Sequence, residues 1–202
     1  MALTGRPCRP AVFLDKDGTL IDDLPYNADP ARITLCRGAG EALQALARLG
    51  YALVVVSNQQ GIARGWLSDR DLCRIRERIA VLLAAYDVRL DGFYWCPHWP
   101  WSCMGRLAFA CDCRKPAPGM LLRAASEHGL STKASWMVGD ILDDIEAGRR
   151  AGCRTVLIDN GNETEWRCSP LRRPHRLATD LPGAARMIAA IDGPSQSPVA
   201  TP

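Results

Sequence analysis

The chain has 202 residues, of which 48% are apolar, and this is enough to bury the core of one globular domain. Its formal net charge of +3 suits a small anionic ligand and is too low for a dedicated nucleic-acid binder, so we expect no nucleic-acid partner. The longest apolar run, residues 79–86, cannot span a bilayer, and no secretion signal opens the chain, so we expect a cytoplasmic monomer without a membrane partner or a disulfide framework.

Apolar runs alternate with segments of helical periodicity along most of the sequence. Residues 11–14 and 51–57 are typical of buried strands, and residues 38–49 between them have helical spacing and end before Gly50. Three more strands are predicted at 93–95, 135–139 and 155–158, and further helices at 68–86, 118–128, 141–151 and 183–191. This alternation indicates an α/β fold in which helices cover both faces of a parallel sheet, with the strand order 3-2-1-4-5.

Three long segments fall outside the alternation, at residues 21–36, 97–114 and 160–178. Loops of this length in a compact domain are usually functional, although the Arg-rich stretch 172–176 has no role that the sequence reveals. Because no large insertion follows the first or the third strand, we expect no sizeable cap domain. We predict a single domain over residues 1–193, with a disordered tail rich in Pro and Ser at 194–202.

Polar residues stand at the carboxyl ends of three predicted strands, namely Asp15, Ser57 and Asp140. In an open parallel sheet these ends form the ligand site, and carboxylates that meet there repel one another unless a cation lies between them. Oxygen ligands suit Mg²⁺. A single Asp at a strand end is more often a turn former or a helix cap, so the weight of this prediction rests on the motifs taken together.

Four motifs occur in a fixed order. Asp-Lys-Asp-Gly-Thr at 15–19 follows the first strand, Ser-Asn at 57–58 ends the second, Arg-Lys-Pro lies at 114–116, and Gly139-Asp140 is followed by Asp144. The set resembles the haloacid dehalogenase-like (HAD) phosphatases, subfamily IIIA, over residues 11–158. The resemblance implies a Rossmann-like HAD fold and a phosphatase that works through an aspartyl-phosphate intermediate.

The resemblance also implies roles for single residues. Asp15 would be the nucleophile, and Asp17 would protonate the leaving group and then activate water. The cofactor Mg²⁺ would be bound by Asp15, by the backbone carbonyl of Asp17 and by Asp140, with Asp144 acting from outside the ligand shell. Lys115 would stabilise the phosphoryl oxygens.

Three smaller residues complete this phosphate site. Gly18 and Thr19 would shape the turn that aims both carboxylates of the first motif at the phosphorus, and Ser57 would bind the phosphoryl group together with nearby backbone N–H groups.

Cys96-Pro97-His98 and Cys111-Asp112-Cys113 have the spacing of a structural Cys₃His zinc site. With four protein ligands, Zn²⁺ would close the loop that ends at Arg114 and Lys115. Two alternatives remain open from the sequence. Cys103 can replace one of these ligands, or the loop is rich in cysteine without binding a metal.

The cysteine loop resembles two branches of the family, the heptose-1,7-bisphosphate phosphatases and the histidinol-phosphate phosphatases. Residues 57–65, Ser-Asn-Gln-Gln-Gly-Ile-Ala-Arg-Gly, resemble the heptose branch. This likeness implies that Asn58 and Gln59 contact the substrate and that Arg64 and Arg114 bind the phosphate that is not cleaved. Alternatively, Arg64 is simply a surface residue.

The expected reaction is therefore removal of the 7-phosphate of D-glycero-D-manno-heptose 1,7-bisphosphate, in the synthesis of lipopolysaccharide precursors. A small sugar phosphate is the one partner we expect. A histidinol-phosphate phosphatase, a DNA 3′-phosphatase and a non-catalytic binding module built on the zinc loop are the alternatives.

Overall fold

The computed structural model describes residues 8–101 and 105–193. In these residues the strands form one parallel sheet. The strands are β1 (Ala11–Leu14), β2 (Ala52–Asn58), β3 (Gly92–Cys96), β4 (Trp136–Gly139), β5 (Arg154–Ile158) and β6 (Arg176–Ala178). Their order is β3-β2-β1-β4-β5-β6, so the predicted order of the first five strands is confirmed and β6 extends the sheet at one edge.

The helices connect the strands in the predicted places, with ends that differ by a few residues. They are α1 (Ala39–Arg48), α2 (Asp69–Ala84), α3 (Gly119–His128), α4 (Leu142–Ala151) and α5 (Leu181–Asp192). The start of α2 is fixed by Ser68, whose side chain accepts a hydrogen bond from the backbone of Asp71 while the Asp71 carboxylate bonds back to Ser68.

The two faces of the sheet carry separate apolar cores, because neighbouring residues of a strand point to opposite sides. Val12 and Leu14 of β1 pack with apolar residues of α1, α2 and α5 on one face. Ala11 and Phe13 pack with α3 and α4 on the other. Both faces of β1 are thus fully buried, which explains its continuous apolar sequence.

The three long segments are mostly irregular, with short 3₁₀ turns at 30–32, 105–107 and 170–172. In the third segment, Arg172 forms ion pairs with Asp143 and Glu146 of α4, so this part of the Arg-rich stretch turns toward the protein. The expected disorder of residues 194–202 and the alternative ligand Cys103 lie outside the described residues. Within the part of the chain that is described, none of the helices has the length and apolar character needed to cross a bilayer.

Candidate active site

Three buried carboxylates meet at the carboxyl edge of the sheet. Asp15 follows β1 and Asp140 follows β4, and the two strands are direct neighbours. The backbone N–H of Asp15 donates to the carbonyl of Val138 over 2.9 Å, which fixes the chain where it leaves the sheet. Asp144, in the first turn of α4, completes the group, and one carboxylate oxygen from each residue lies within 4.8 Å of the other two.

The turn that follows Asp15 requires glycine at position 18. Gly18 has a φ of +75°, and a Cβ atom there would lie 2.2 Å from Asp140 Oδ2 and 2.3 Å from Asn162 Nδ2. Thr19 is buried, and its hydroxyl lies 3.5 Å from the Oδ1 atom of Asp140. The Asp-Lys-Asp-Gly-Thr turn therefore packs directly against the carboxylate of the fourth motif.

Lys115 is the cation of this cluster and is 1% exposed. Its Nζ atom donates to Asp15 and, over 3.0 Å, to the carbonyl of Val56, and it lies 2.5 Å from Asp144 Oδ1. Burial opposes the charge on this lysine, but the two carboxylates more than compensate and raise its pKa. The two carboxylates therefore favour the charged form of Lys115, which lies beside the nucleophile predicted from the sequence.

Asn58 holds the backbone of Lys115 in place. Its side-chain Nδ2 donates to the Lys115 carbonyl, and its Oδ1 accepts from the Lys115 N–H, both over 3.0 Å. The predicted substrate residue Asn58 is thus engaged with the lysine segment, and it joins the end of β2 to the end of the cysteine loop.

The positive charge of Lys115 does not balance the negative charge of the three carboxylates. Burial and neighbouring negative charges raise the pKa of Asp15 to about 7, although Lys115 opposes the shift. Burial and the charge of Asp15 raise the pKa of Asp140 to about 6, and burial raises that of Asp144 to about 6. One lysine beside three carboxylates leaves a net negative, oxygen-lined pocket, which is the chemistry that suits Mg²⁺.

Asp17 points into the same pocket and is held by two side chains. Lys16 Nζ donates to its Oδ1 over 2.5 Å, and Gln59 Nε2 donates to its Oδ2 over 3.0 Å. The same Gln59 nitrogen lies 2.8 Å from the hydroxyl of Ser57. The predicted residues Asp17, Ser57 and Gln59 are therefore in one hydrogen-bonded group.

These side chains open into a cavity of about 490 Å³, a size that accommodates a small phosphorylated metabolite. The cavity walls include Asp15, Asp17, Ser57, Asn58, Gln59, Arg114, Lys115 and Asp140 together with Tyr26, Trp99, Asp143 and Asn162.

The two predicted substrate arginines occupy different positions. Arg114 lines the cavity and donates to the side chain of Gln60 over 2.7 Å. Arg64 is not among the described residues that line it, and its guanidinium lies 4.9 to 5.6 Å from the ring centroids of Tyr26, Trp66 and Trp99. Arg114 contacts the Trp99 ring as well, at 4.7 Å, so this indole connects the two arginines through cation–π contacts.

The side chains predicted to form a zinc site also lie close together. Cys96 ends β3, and its Sγ lies 3.4 Å from His98 Nδ1, 3.5 Å from Cys111 Sγ and 3.1 Å from Cys113 Sγ. His98 Nδ1 and Cys113 Sγ are 3.2 Å apart. All of these thiols are free rather than paired in disulfides. Three sulfur atoms and one imidazole nitrogen thus converge on a single point, and this ligand set can hold Zn²⁺.

Two of the three thiols of this cluster, those of Cys96 and Cys113, resist ionisation without a metal. Burial, together with a hydrogen bond to Cys113, raises the pKa of Cys96. Burial also raises the pKa of Cys113, to about 11. For Cys111, burial opposes ionisation, but hydrogen bonds with Cys113 and the Arg114 N–H lower the pKa. A bound cation would supply the charge that stabilises the thiolates. The cluster is tied to the catalytic edge, because the N–H of Gln59 donates to the Cys96 carbonyl over 2.8 Å.

The site residues that were not predicted from the sequence include Lys16, Asn160 and Asn162. Lys16 stands inside the first motif, where the motif pattern leaves the position unspecified. Asn160 and Asn162 follow β5 at the same sheet edge as Asp15, so their position after a predicted strand was the one available signal.

Comparison with known proteins identifies the class to which this fold and site belong. The family model for HAD-hydrolase-like proteins matches residues 112–184, which include the lysine motif and the Asp140 motif. The chain belongs to the haloacid dehalogenase-like phosphatases, as its resemblance to the ordered motifs indicated.

Its relatives within that class are more specific. The D-glycero-beta-D-manno-heptose-1,7-bisphosphate 7-phosphatase of Salmonella typhi is 39% identical over 186 residues, covering 88% of this chain and 95% of the relative. The enzyme of the same name from Pasteurella multocida (strain Pm70) is 44% identical over 152 residues, 75% and 82% of the two chains.

A solved structure agrees with the sequence relatives. The D,D-heptose 1,7-bisphosphate phosphatase of B. bronchiseptica, crystallised with magnesium and phosphate, superimposes with a TM-score of 0.77 at 28% identity. The match covers 90% of this chain and 99% of that one. Together these comparisons confirm the family and favour the heptose branch over the histidinol-phosphate branch.

Proposed function

We propose that the protein removes the 7-phosphate of D-glycero-D-manno-heptose 1,7-bisphosphate through an aspartyl-phosphate intermediate. The observation that carries the proposal is the pairing of Asp15 with the buried Lys115 at the base of a cavity whose wall also contains Arg114. The names of the relatives support the choice of substrate.

In the first step, a carboxylate oxygen of Asp15 attacks the phosphorus of the 7-phosphate and forms an acyl phosphate. The bond between phosphorus and the sugar oxygen breaks, and Asp17 donates a proton to the departing alkoxide. Contacts of Asp17 with Lys16 and Gln59 support this assignment, because they hold its carboxyl group beside the nucleophile.

In the second step, Asp17 takes a proton from a water molecule that attacks the phosphorus. The bond between phosphorus and Asp15 breaks, inorganic phosphate leaves, and the Asp15 carboxylate is restored. Lys115 and the hydroxyl of Ser57 would stabilise the phosphoryl oxygens in both steps. The contact of Lys115 with Asp15 supports this role.

Mg²⁺ is the cation that we propose for the acidic pocket, held by Asp15, the backbone carbonyl of Asp17 and Asp140. When bound, it neutralises phosphoryl oxygens that would otherwise be repelled by the carboxylates. The raised pKa values of Asp15 and Asp140 support a cation here, because burial and the neighbouring carboxylates disfavour their charged forms and a bound cation would stabilise them.

Zn²⁺ is the metal that we propose for Cys96, His98, Cys111 and Cys113. The site has four protein ligands, so its role would be structural. It would hold the loop that ends at Arg114 and Lys115 against the end of β2.

Arg114 is our candidate for binding the phosphate that stays on the sugar, because its guanidinium reaches the cavity and matches a phosphate in charge and geometry. For Arg64, the contacts with Trp99 support a more indirect role. It would stabilise the indole against which Arg114 lies.

Parallel turnover assays on the heptose 1,7-bisphosphate, histidinol phosphate and a DNA oligonucleotide with a 3′-phosphate test the proposal. We expect a clear preference in kcat/KM for the bisphosphate, with release of the 7-phosphate. Preference for histidinol phosphate would overturn the substrate assignment. We expect the oligonucleotide to be a poor substrate, since Arg172 of the Arg-rich stretch is engaged with α4.

The role of Arg114 is tested in the same assay with heptose 7-phosphate as a second substrate. Arg114→Gln should raise KM for the bisphosphate by about 10- to 100-fold, while KM for the monophosphate changes little. Arg106→Gln, an exposed arginine in the same loop, serves as the matched control. Equal effects on both substrates would contradict a contact with the distal phosphate.

A further inference from the structure

The loop that follows β5 contacts the first and fourth motifs with three polar side chains, those of Asn160, Asn162 and Glu163. Asn160 Nδ2 donates to the carbonyl of Gly18 over 2.8 Å, and Asn162 Nδ2 donates to Asp140 Oδ2 over 2.7 Å. Glu163 accepts a hydrogen bond of 2.6 Å from the N–H of Leu142, at the start of α4. A loop outside all four motifs is thus bonded to the first motif, to the fourth motif and to the start of α4.

The contact with Asp140 is the most consequential of the three. Asp140 is only 4% exposed, so its two carboxylate oxygens depend on the protein for hydrogen bonds. Its Oδ1 lies at the limit of hydrogen-bond distance from Thr19, 3.5 Å, whereas its Oδ2 accepts the short bond from Asn162. Of these two contacts, Asn162 is the one with the geometry to fix the rotation of this carboxylate.

An amide suits this task better than a charged donor. A lysine or arginine at position 162 would neutralise Asp140 and compete with a cation, whereas an amide orients the carboxylate and leaves its negative charge available. Asn162 is itself fixed, because its N–H donates to Asn160 Oδ1 over 3.1 Å. It lines the cavity, so it lies at the site rather than behind it.

We propose that Asn162 is a positioning residue that orients Asp140 for the divalent cation of the phosphatase reaction. The inference rests on the proposed function, since it assigns Asn162 a part in binding the proposed Mg²⁺. Outer residues that hydrogen-bond to metal-binding carboxylates typically change metal affinity about 10- to 100-fold when they are replaced.

The test measures Mg²⁺ binding directly, by calorimetric titration of the full chain with MgCl₂ in the absence of substrate. Asn162→Leu keeps the approximate size of the side chain and removes the donor, and Asn162→Ala removes both. We expect the Mg²⁺ dissociation constant to rise about tenfold or more in both variants. The exposed Glu165→Gln on the same loop is the matched control and should bind Mg²⁺ as the wild type does.

Steady-state kinetics separates positioning from a merely structural role. If Asn162 acts by orienting Asp140, both variants should need more Mg²⁺ for half-maximal rate, in proportion to their higher dissociation constants. Their kcat should largely recover at saturating Mg²⁺. Mg²⁺ affinity within about twofold of the wild type in both variants, well below the effect of such contacts, would overturn the inference. So would a loss of kcat that saturating Mg²⁺ does not restore.

Mg²⁺ binding and turnover by the wild-type chain show whether a negative result refutes the role of Asn162 or the proposed function itself. A wild-type chain that neither binds Mg²⁺ nor turns over the bisphosphate would refute the proposed function. A wild-type chain that does both, with Asn162 variants of unchanged Mg²⁺ affinity, would refute the role of Asn162 alone.

Discussion

At the carboxyl edge of the sheet, Asp15, Asp140 and Asp144 are positioned by strands and a helix, whereas the described part of the cysteine loop has little regular structure. Asp15 and Asp140 continue from buried, paired strands, so the sheet fixes where they lie. The loop from Cys96 to Cys113 contains one described 3₁₀ turn, and its ends meet through the four-residue Cys/His cluster. The edge therefore owes its geometry to the hydrophobic core, whereas we propose that a metal cross-link at the Cys/His cluster orders the loop.

The difference assigns the two regions different tasks. The edge contains the buried carboxylates, among them the proposed nucleophile Asp15, and Arg114 and Lys115 follow directly after the loop. Lys115 belongs to both regions, since its chain position follows the cysteine cluster and its ammonium lies among the carboxylates.

Replacement of Lys115 should have the largest effect, because it breaks the junction between the two regions. Lys115→Met should lower kcat by about a thousandfold, through loss of a charge at the phosphoryl oxygens, and also destabilise the buried carboxylates that lose their partner. Single-turnover assays check the rate, and Lys133→Met, an exposed lysine, is the control. Retention of more than a tenth of the wild-type kcat would contradict the assignment.

Loss of the cross-link should affect stability more than chemistry. We expect about one zinc ion per chain by elemental analysis. Cys113→Ser should lower the zinc content and cost about 3 kcal/mol, the stabilisation expected from closing a loop of this length, seen as a melting temperature lower by about 6–12 °C.

The exposed Cys168→Ser is the control for that experiment and should retain both zinc and stability. A metal-free chain that melts as the wild type does would show that the loop is ordered by packing alone, and the contrast between the regions would then fail.

The smallest effect is expected far from both regions, at the opposite end of the sheet. Asp192 accepts hydrogen bonds from Tyr51, Trp136 and Arg154, and although burial opposes it, these donors lower its pKa. A carboxylate whose folded-state pKa is depressed stabilises the fold above its unfolded pKa of about 4, and the contribution is lost as pH falls through the folded value.

Asp192→Asn should therefore cost about 1 kcal/mol at pH 7, with kcat unchanged, and the difference from wild type should shrink as pH falls below about 4. Urea unfolding over a pH series measures it. A difference that is the same at every pH would mean that the charge of Asp192 contributes nothing.

Much of the catalytic edge could be predicted because the signals are local. A continuous apolar run that ends in Asp15 specifies a buried strand and a carboxylate at its tip, and strand order then brings Asp140 beside it. The Cys/His cluster was predictable for the same reason, since its ligands are close in sequence and chemically distinctive.

What the sequence did not reveal depends on long-range packing. The strand β6 has three residues, of which Arg176 and Leu177 are exposed, so it lacks the apolar run that marks a buried strand. Asn160 and Asn162 reach the first and fourth motifs only because β5 lies beside β4. The position of Arg64 among three aromatic rings likewise depends on loops distant in sequence.

The central claim is that the phosphoryl group is transferred to the carboxylate of Asp15 before it is released to water. Acid quenching during turnover of the heptose bisphosphate, followed by mass spectrometry of peptides, tests it most directly. We predict a phosphoryl group on Asp15 in the wild type and no turnover in Asp15→Asn. Turnover retained by Asp15→Asn, or a phosphoryl group on a different residue, would contradict the account.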